Sequence, residues 1–367
     1  RRAPHGPGPR PRLVPRKLDP PRADPVTPPP PPPPKLGPTT RQVLELLQTS
    51  AGANLSGQEM CRRLGISRTA VWKHINLLRR NGYQVEAHPR RGYRLAERPN
   101  RPLAAEVESR LRTSRLGRPL TYLASLDSTN RRLLALAEQG APEGTLIVAE
   151  TQTGGRGRLS RSWFSPPGVN LYLSLLLRPA VPPLRVPSLA LAVGLAVRRA
   201  VARLAPELEV QVKWPNDLFL GGRKLAGILC EMRSELDRVH YVVAGIGLNV
   251  NLLEAELPPE LRGRATSLRI AAGHEWSRPE LLATLLEELE PVYDQWQRAG
   301  LAPFLPELER HAYLQGREVT VDFGAEQLRG RVAGLAASGA LILELPGGRR
   351  REVLSGDVFL SAIGAAP

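Results

Sequence analysis

The chain has 367 residues, 42% of them hydrophobic, and its 51 Lys and Arg against 35 Asp and Glu give a formal net charge of +16. That length implies two or three domains. Cys61 and Cys230, the only cysteines, lie in apolar segments with no CxxC or Cys/His cluster, which fits a reducing cytosol and argues against a structural metal. The most apolar helix pattern, "SLALAVGLAVRRAVARL" (188–204), is interrupted by Arg198 and Arg199, so it reads as core-facing and a membrane span is excluded.

The excess charge is local. Residues 1–38 carry 8 Lys/Arg against 2 Asp/Glu, residues 39–98 carry 11 against 4, and the remaining 269 carry 32 against 29. Two basic modules therefore precede a nearly neutral body, a distribution that points to nucleic acid or another polyanion.

Residues 1–38 hold 16 of the 37 prolines, including the run Pro28 to Pro34. Such a segment buries too little apolar surface to offset its ordering entropy, so a disordered or polyproline-like tail is expected. Folding begins at "TTRQVLELLQT", where Thr40 is the expected cap of a helix buried through Val43, Leu44 and Leu47. In "SGQEMCRRLG", Ser56 and Glu59 have capping-box spacing and Gly65 ends the helix. "ISRTAVWKHINLLRRNG" gives a third helix with Val71, Ile75 and Leu78 on its buried stripe and Arg68, Thr69, Trp72, Lys73 and Asn76 on the other face. "YQVEAHPRRGYRL" adds two short strands around Pro89–Gly92. Three helices and a basic wing predict a winged helix-turn-helix whose third helix enters a DNA major groove; a small protein-interaction domain is the alternative.

Beyond a link near Glu97–Leu103, strands and helices alternate. "TYLASL", "TLIVAE", "VNLYLSLLL", "EVQVKW", "LAGILCEM" and "VHYVVAGIGLNVN" read as strands, and "NRRLLALAEQG", "SRPELLATLLEELEPVYDQWQ" and "LAPFLPELERHAY" as helices. The pattern predicts an α/β or α+β domain with a mixed sheet, and the glycine-punctuated strands after Gly316 predict a small β-barrel.

No P-loop, dinucleotide fingerprint, metalloprotease motif or nucleophile elbow occurs, and "GIGLNVN" offers only two glycines. Three clusters remain. "GGRGRLSR" sets Arg156, Arg158 and Arg161 among glycines, a composition suited to clamping an anion, or to a mobile basic surface loop. "KWPNDLFLGGRKLAGIL" places Lys224 at the head of an apolar strand, where an ammonium needs an anionic partner or snorkels to solvent. "LDSTN" is either a helix cap or a set of binding hydroxyls and amides. Together they suit binding an acid and transferring it through a phosphoanhydride.

In their order and spacing, "SRTAVWKHI", "LDSTN", "GGRGRLSRSWFSPPGVNLYLS", "KWPNDLFLGGRKLAGIL" and "GIGLNVN" resemble the bifunctional biotin protein ligase and biotin operon repressor family, over residues 40–365. The resemblance implies an α+β multidomain chain. Its parts would be a tail (1–38), a winged helix-turn-helix DNA-binding domain (39–98), a mixed-sheet, class II synthetase-like biotin/ATP domain (99–314) and an SH3-like C-terminal domain (315–367). It implies a ligase that forms biotinyl-5′-AMP from biotin and ATP, with accompanying Mg2+ whose ligands the sequence leaves unassigned. The biotinyl group would pass to a lysine of the biotin carboxyl carrier protein of acetyl-CoA carboxylase. An adenylate-bound homodimer would repress biotin genes at an operator, in the cytoplasm.

By position, the resemblance assigns Ser128, Thr129, Asn130 and Gln152 to biotin, and Arg156, Gly157 and Arg158 to a loop over biotin and adenylate. It gives Lys224 the biotin carboxylate, making Lys224 and Arg158 the catalytic pair. Arg161, Trp163, Lys213, Asn216, Asp217 and Asn249 fall to the nucleotide, with Arg158 shared. One departure stands out. The best-known repressor version reads G-R-G-R-R-G-R, whereas Leu159 and Ser160 separate Arg158 from Arg161 here.

Overall fold

The computed structural model describes residues 36–323 and 326–360. The expected disorder of the proline-rich tail concerns residues that lie almost wholly outside that range.

Helices α1 (Pro38–Thr49), α2 (Gly57–Leu64) and α3 (Arg68–Arg80) precede the hairpin β1 (Gln84–His88) and β2 (Gly92–Glu97). Gly37 rather than Thr40 caps α1, because Pro38 occupies the first turn, where its missing N–H costs nothing. Thr40 is instead buried within the helix, its Oγ1 2.9 Å from His74 Nδ1. The capping box is half formed. Ser56 Oγ accepts the Glu59 amide at 3.0 Å, but the Glu59 carboxylate turns to Arg62 and Arg63 at 2.8 and 2.6 Å. Gly65 ends α2 at φ 65, in the left-handed region that glycine enters without a Cβ clash. Val71, Ile75 and Leu78 close this module's own core against Val43, Leu44, Leu47 and Met60.

The module sits on the central domain through α4 (Ala104–Glu108), whose buried Glu106 accepts from Gln48 Nε2 at 3.3 Å and pairs with Arg110 at 2.8 Å.

The central domain contains β3 (Leu120–Leu123), α5 (Thr129–Glu138), β4 (Leu146–Ala149), β5 (Leu171–Leu177), α6 (Leu189–Leu204) and β6 (Val210–Lys213). It continues with β7 (Asp217–Leu220), β8 (Arg223–Ser234), β9 (Val239–Leu248), α7 (Leu268–Ala272), α8 (Arg278–Ala299) and α9 (Leu305–Arg310). Its strands form one sheet in the order β3-β4-β5-β9-β8-β7-β6, parallel between β3 and β4 and antiparallel elsewhere, so the sheet is mixed as expected.

Alternation along the strands assigns the two faces. Leu146, Val148, Leu173 and Leu175 join the large core with α6 and α8, while Ile147, Leu176 and Val243 pack on Leu133 and Ala137 of α5. The site develops on the α5 face.

The C-terminal strands β10 (Glu318–Asp322), β11 (Gln327–Leu335), β12 (Leu341–Glu344), β13 (Arg350–Val353) and β14 (Asp357–Leu360) form an antiparallel sheet in the order β13-β12-β11-β10-β14. The Trp214 indole N–H donates to Gly339 O at 2.9 Å and ties this small β domain to the central one. Among the described residues no helix is long and apolar enough to cross a membrane.

Candidate active site

The floor of the site is built from what β8 and β9 lack. Antiparallel register places Gly245 opposite both Ser174 and Leu229, and Gly247 opposite both Tyr172 and Gly227. A Cβ on Gly245 would stand 2.1 Å from Asn130 Oδ1, and one on Gly247 would stand 2.4 Å from the Trp163 ring. "GIGLNVN" is thus a strand whose two glycines make room for an amide and an indole. Its chemistry lies in its bareness.

Above that floor opens a cavity of about 580 Å³. At one end, Thr129 and Asn130 start α5 and are buried. Ser128 holds the cap position, but its side chain makes no capping bond, so the helix-cap reading of "LDSTN" does not account for these side chains. Gln152 Oε1 accepts from Thr129 N at 2.9 Å and Thr129 Oγ1 at 3.1 Å, and Ser174 Oγ lies 2.7 Å from Thr129 Oγ1.

The arginine loop arches over the cavity, with each guanidinium already held. Arg156 lies 3.5 Å from Glu231, Arg158 donates to Asn216 Oδ1 at 3.3 Å, and Arg161 pairs with Asp357 of β14. Leu159 and Ser160 both adopt left-handed backbone, φ 53 and 58, between these arginines.

Of the two readings of Lys224, an anionic partner or snorkelling, the structure shows the partner. The Lys224 ammonium pairs with Asp217 at 2.7 Å and stands 5.4 Å from the Trp163 ring centre. The hairpin Gly221–Gly222, with both φ positive, folds β8 back on β7 and brings the two residues together. Lys213 lies over the Phe219 ring at 4.9 Å, and burial pushes its ammonium below the ordinary lysine range. Asn216 donates to Ile228 O at 2.7 Å, which leaves its oxygen for Arg158.

Asn249 also borders the cavity, but its amide is committed: it donates to Thr266 O at 2.9 Å and accepts from Asn170 at 3.3 Å. All fourteen residues expected around biotin and nucleotide border this one cavity. On α3, Arg68, Thr69, Trp72 and Lys73 are exposed, whereas Asn76 is half-buried and accepts from Arg79 at 3.3 Å.

Sequence reading missed Glu231, Ser174 and Asp357. The first two carried a signal, Glu231 as the one charged residue of "LAGILCEM" and Ser174 as a hydroxyl set between leucines in "LYLSLLL". Asp357 carried none, since its place beside Arg161 follows from the packing of two domains.

A cavity lined with arginines and lysines together with amides and hydroxyls, on a mixed sheet joined to a winged helix-turn-helix, defines a protein ligase of the acid-activating class with a DNA-binding module. Residues 122–249 match the biotin/lipoate A/B protein ligase family, 39–94 an HTH domain, and 315–361 the biotin protein ligase C-terminal domain. The chain is 38% identical to the bifunctional ligase/repressor BirA of Bacillus subtilis over 87% of its own length and 98% of that protein. It is 35% identical to BirA of Escherichia coli K12 over 80% and 88%. The structure of the Aquifex aeolicus biotin protein ligase in complex with biotin and ATP aligns with a TM-score of 0.57 at 33% identity, covering 66% of this chain and 98% of that one. The chain belongs to the biotin/lipoate A/B protein ligase family, as a biotin protein ligase with an N-terminal helix-turn-helix domain.

Proposed function

We propose that the chain condenses biotin with ATP, passes the biotinyl group to a carrier lysine, and represses transcription when no acceptor remains. In the first step a biotin carboxylate oxygen attacks the α-phosphorus and pyrophosphate leaves, giving biotinyl-5′-AMP. In the second, the amine of a lysine on the biotin carboxyl carrier protein of acetyl-CoA carboxylase attacks the acyl carbon. AMP leaves and an amide forms.

Two anions must meet in the first step, so the need is for cations that hold them together and for exclusion of water from the acyl phosphate. Ser128, Thr129, Asn130 and Gln152 are assigned to biotin, with Arg156, Gly157 and Arg158 closing over it. Lys224 exchanges Asp217 for the biotin carboxylate and then for the mixed anhydride. Trp163, Lys213, Asn216, Asp217 and Arg161 are assigned to the nucleotide, and Mg2+ arrives with ATP. Asn249, its amide already committed, would hold the floor beneath it.

The repressor half of the reading has the adenylate-loaded chain pairing with a second copy and placing two α3 helices in successive major grooves of an operator. The exposed cations of α3 and the separate core of the module support it.

The observation that carries the ligase reading is the convergence of Arg156, Arg158, Lys213 and Lys224 with the α5 amide and hydroxyls on one cavity. Pyrophosphate release from MgATP that requires biotin tests it. A chain that binds biotin without releasing pyrophosphate would be a sensor, and one that prefers lipoate would be a lipoate ligase.

A further inference from the structure

Behind the α5 end of the cavity stands a carboxylate that this chemistry does not use. Glu231 lies on the α5 face of β8, paired across the strands with Val243, and it is absent from the cavity lining. Its Oε2 accepts from Asn130 Nδ2 at 2.7 Å, and its Oε1 lies 3.5 Å from Arg156 Nη2. One carboxylate thus touches both the helix start and the root of the arginine loop.

Its effect on Asn130 follows from hydrogen-bond direction. The Asn130 side chain is buried, and its NH2 group is spent on Leu229 O at 3.2 Å and on Glu231. A carbonyl and a carboxylate only accept, so a flipped amide would face oxygen with oxygen. The Asn130 oxygen in turn accepts from the Ser174 hydroxyl, at 2.5 Å, in the space that Gly245 leaves open. The amide therefore has one orientation before any substrate arrives.

We propose that Glu231 is a positioning residue for the biotin end of the reaction. It fixes the donor and acceptor edges of Asn130 and holds Arg156 at the loop's root, without itself touching substrate. This rests on the ligase reading above. The head of biotin is a cyclic urea with donors and acceptors in fixed positions, so a site that meets it with a misdirected amide leaves buried polar groups unpaired. ATP, at the other end of the cavity, is indifferent to this orientation.

The difference between the two substrates is the test. Glu231→Gln keeps the size of the side chain, removes the charge opposite Arg156 and replaces one acceptor with a donor. In the full chain, with biotin-dependent pyrophosphate release as the assay, KM for biotin is expected to rise about tenfold while KM for ATP stays within about twofold. Glu231→Asp keeps the charge but withdraws it by one methylene, so a smaller rise confined to biotin is expected; it carries the test if the Gln variant does not fold. An unchanged KM for biotin in the folded variant, or equal rises for both substrates, overturns the proposal. If the wild-type chain releases no pyrophosphate with biotin, the ligase reading fails instead, and the two failures are told apart by that control.

Discussion

Lys224 and Asp217 face each other across the β7–β8 hairpin, Nζ to Oδ1 at 2.7 Å, so the chain itself supplies the counter-ion that, in the proposed reaction, the biotin carboxylate would replace. An ammonium at the head of an apolar strand needs an anion, and Asp217 is that anion here. Lys224→Met keeps the methylene stem and removes only the charge. A charge-assisted hydrogen bond contributes about 1.5–3 kcal/mol, so biotinyl-adenylate formation should fall at least tenfold with the fold intact. Wild-type rates in a single-turnover assay would make Lys224 a surface residue with no part in the chemistry.

Arg158 reaches from the loop to Asn216 Oδ1 at 3.3 Å, and both residues border the cavity. Arg158→Gly should loosen the lid without touching the Lys224–Asp217 pair. Activated biotin then escapes and acylates lysines of bystander proteins, measured as labelling of albumin against the wild type. Loss of adenylate synthesis with no leakage would place Arg158 in the chemical step instead.

Ser160 has φ 58 and Leu159 φ 53, in a region that costs L residues roughly 1–2 kcal/mol each. Glycine at 160, as in the best-known relative, relieves about 1 kcal/mol of strain in this loop conformation. The loop as it stands over the cavity should then become about fivefold more favourable, read as slower adenylate dissociation from Ser160→Gly. Unchanged or faster release would show that the loop leaves this backbone conformation when the adenylate is bound.

Arg68 and Lys73 project from α3 into solvent. Replacing both with Ala should weaken duplex DNA binding and lower its salt slope by about 0.9 for each phosphate no longer neutralised, while pyrophosphate release is unchanged. Unaltered DNA affinity, measured by fluorescence anisotropy across a salt series, would point to a protein-interaction module.

Much of the fold is legible in local pattern. The winged helix follows from apolar spacing and turn residues, and the mixed sheet from alternating strands and helices. The cationic clusters stand out because arginine and lysine sit where a plain turn or strand does not need them. What stays hidden depends on tertiary packing. Nothing near Lys224 in sequence marks Asp217 as its ion-pair partner, because a strand bulge between Leu218 and Phe219 sets their register. Thr40 has the chemistry of a cap, but Pro38 starts the helix earlier and His74 takes the Thr40 hydroxyl. Arg161 meets Asp357, 196 residues away, only through the packing of two domains.

The most direct test of the central claim is intact mass spectrometry of a biotin carboxyl carrier domain incubated with this chain, biotin and MgATP. The account predicts one biotinyl group on one lysine of the carrier, dependent on ATP and accompanied by pyrophosphate. A carrier that stays unmodified while the folded chain binds biotin, or one that gains a lipoyl group in preference, would contradict it.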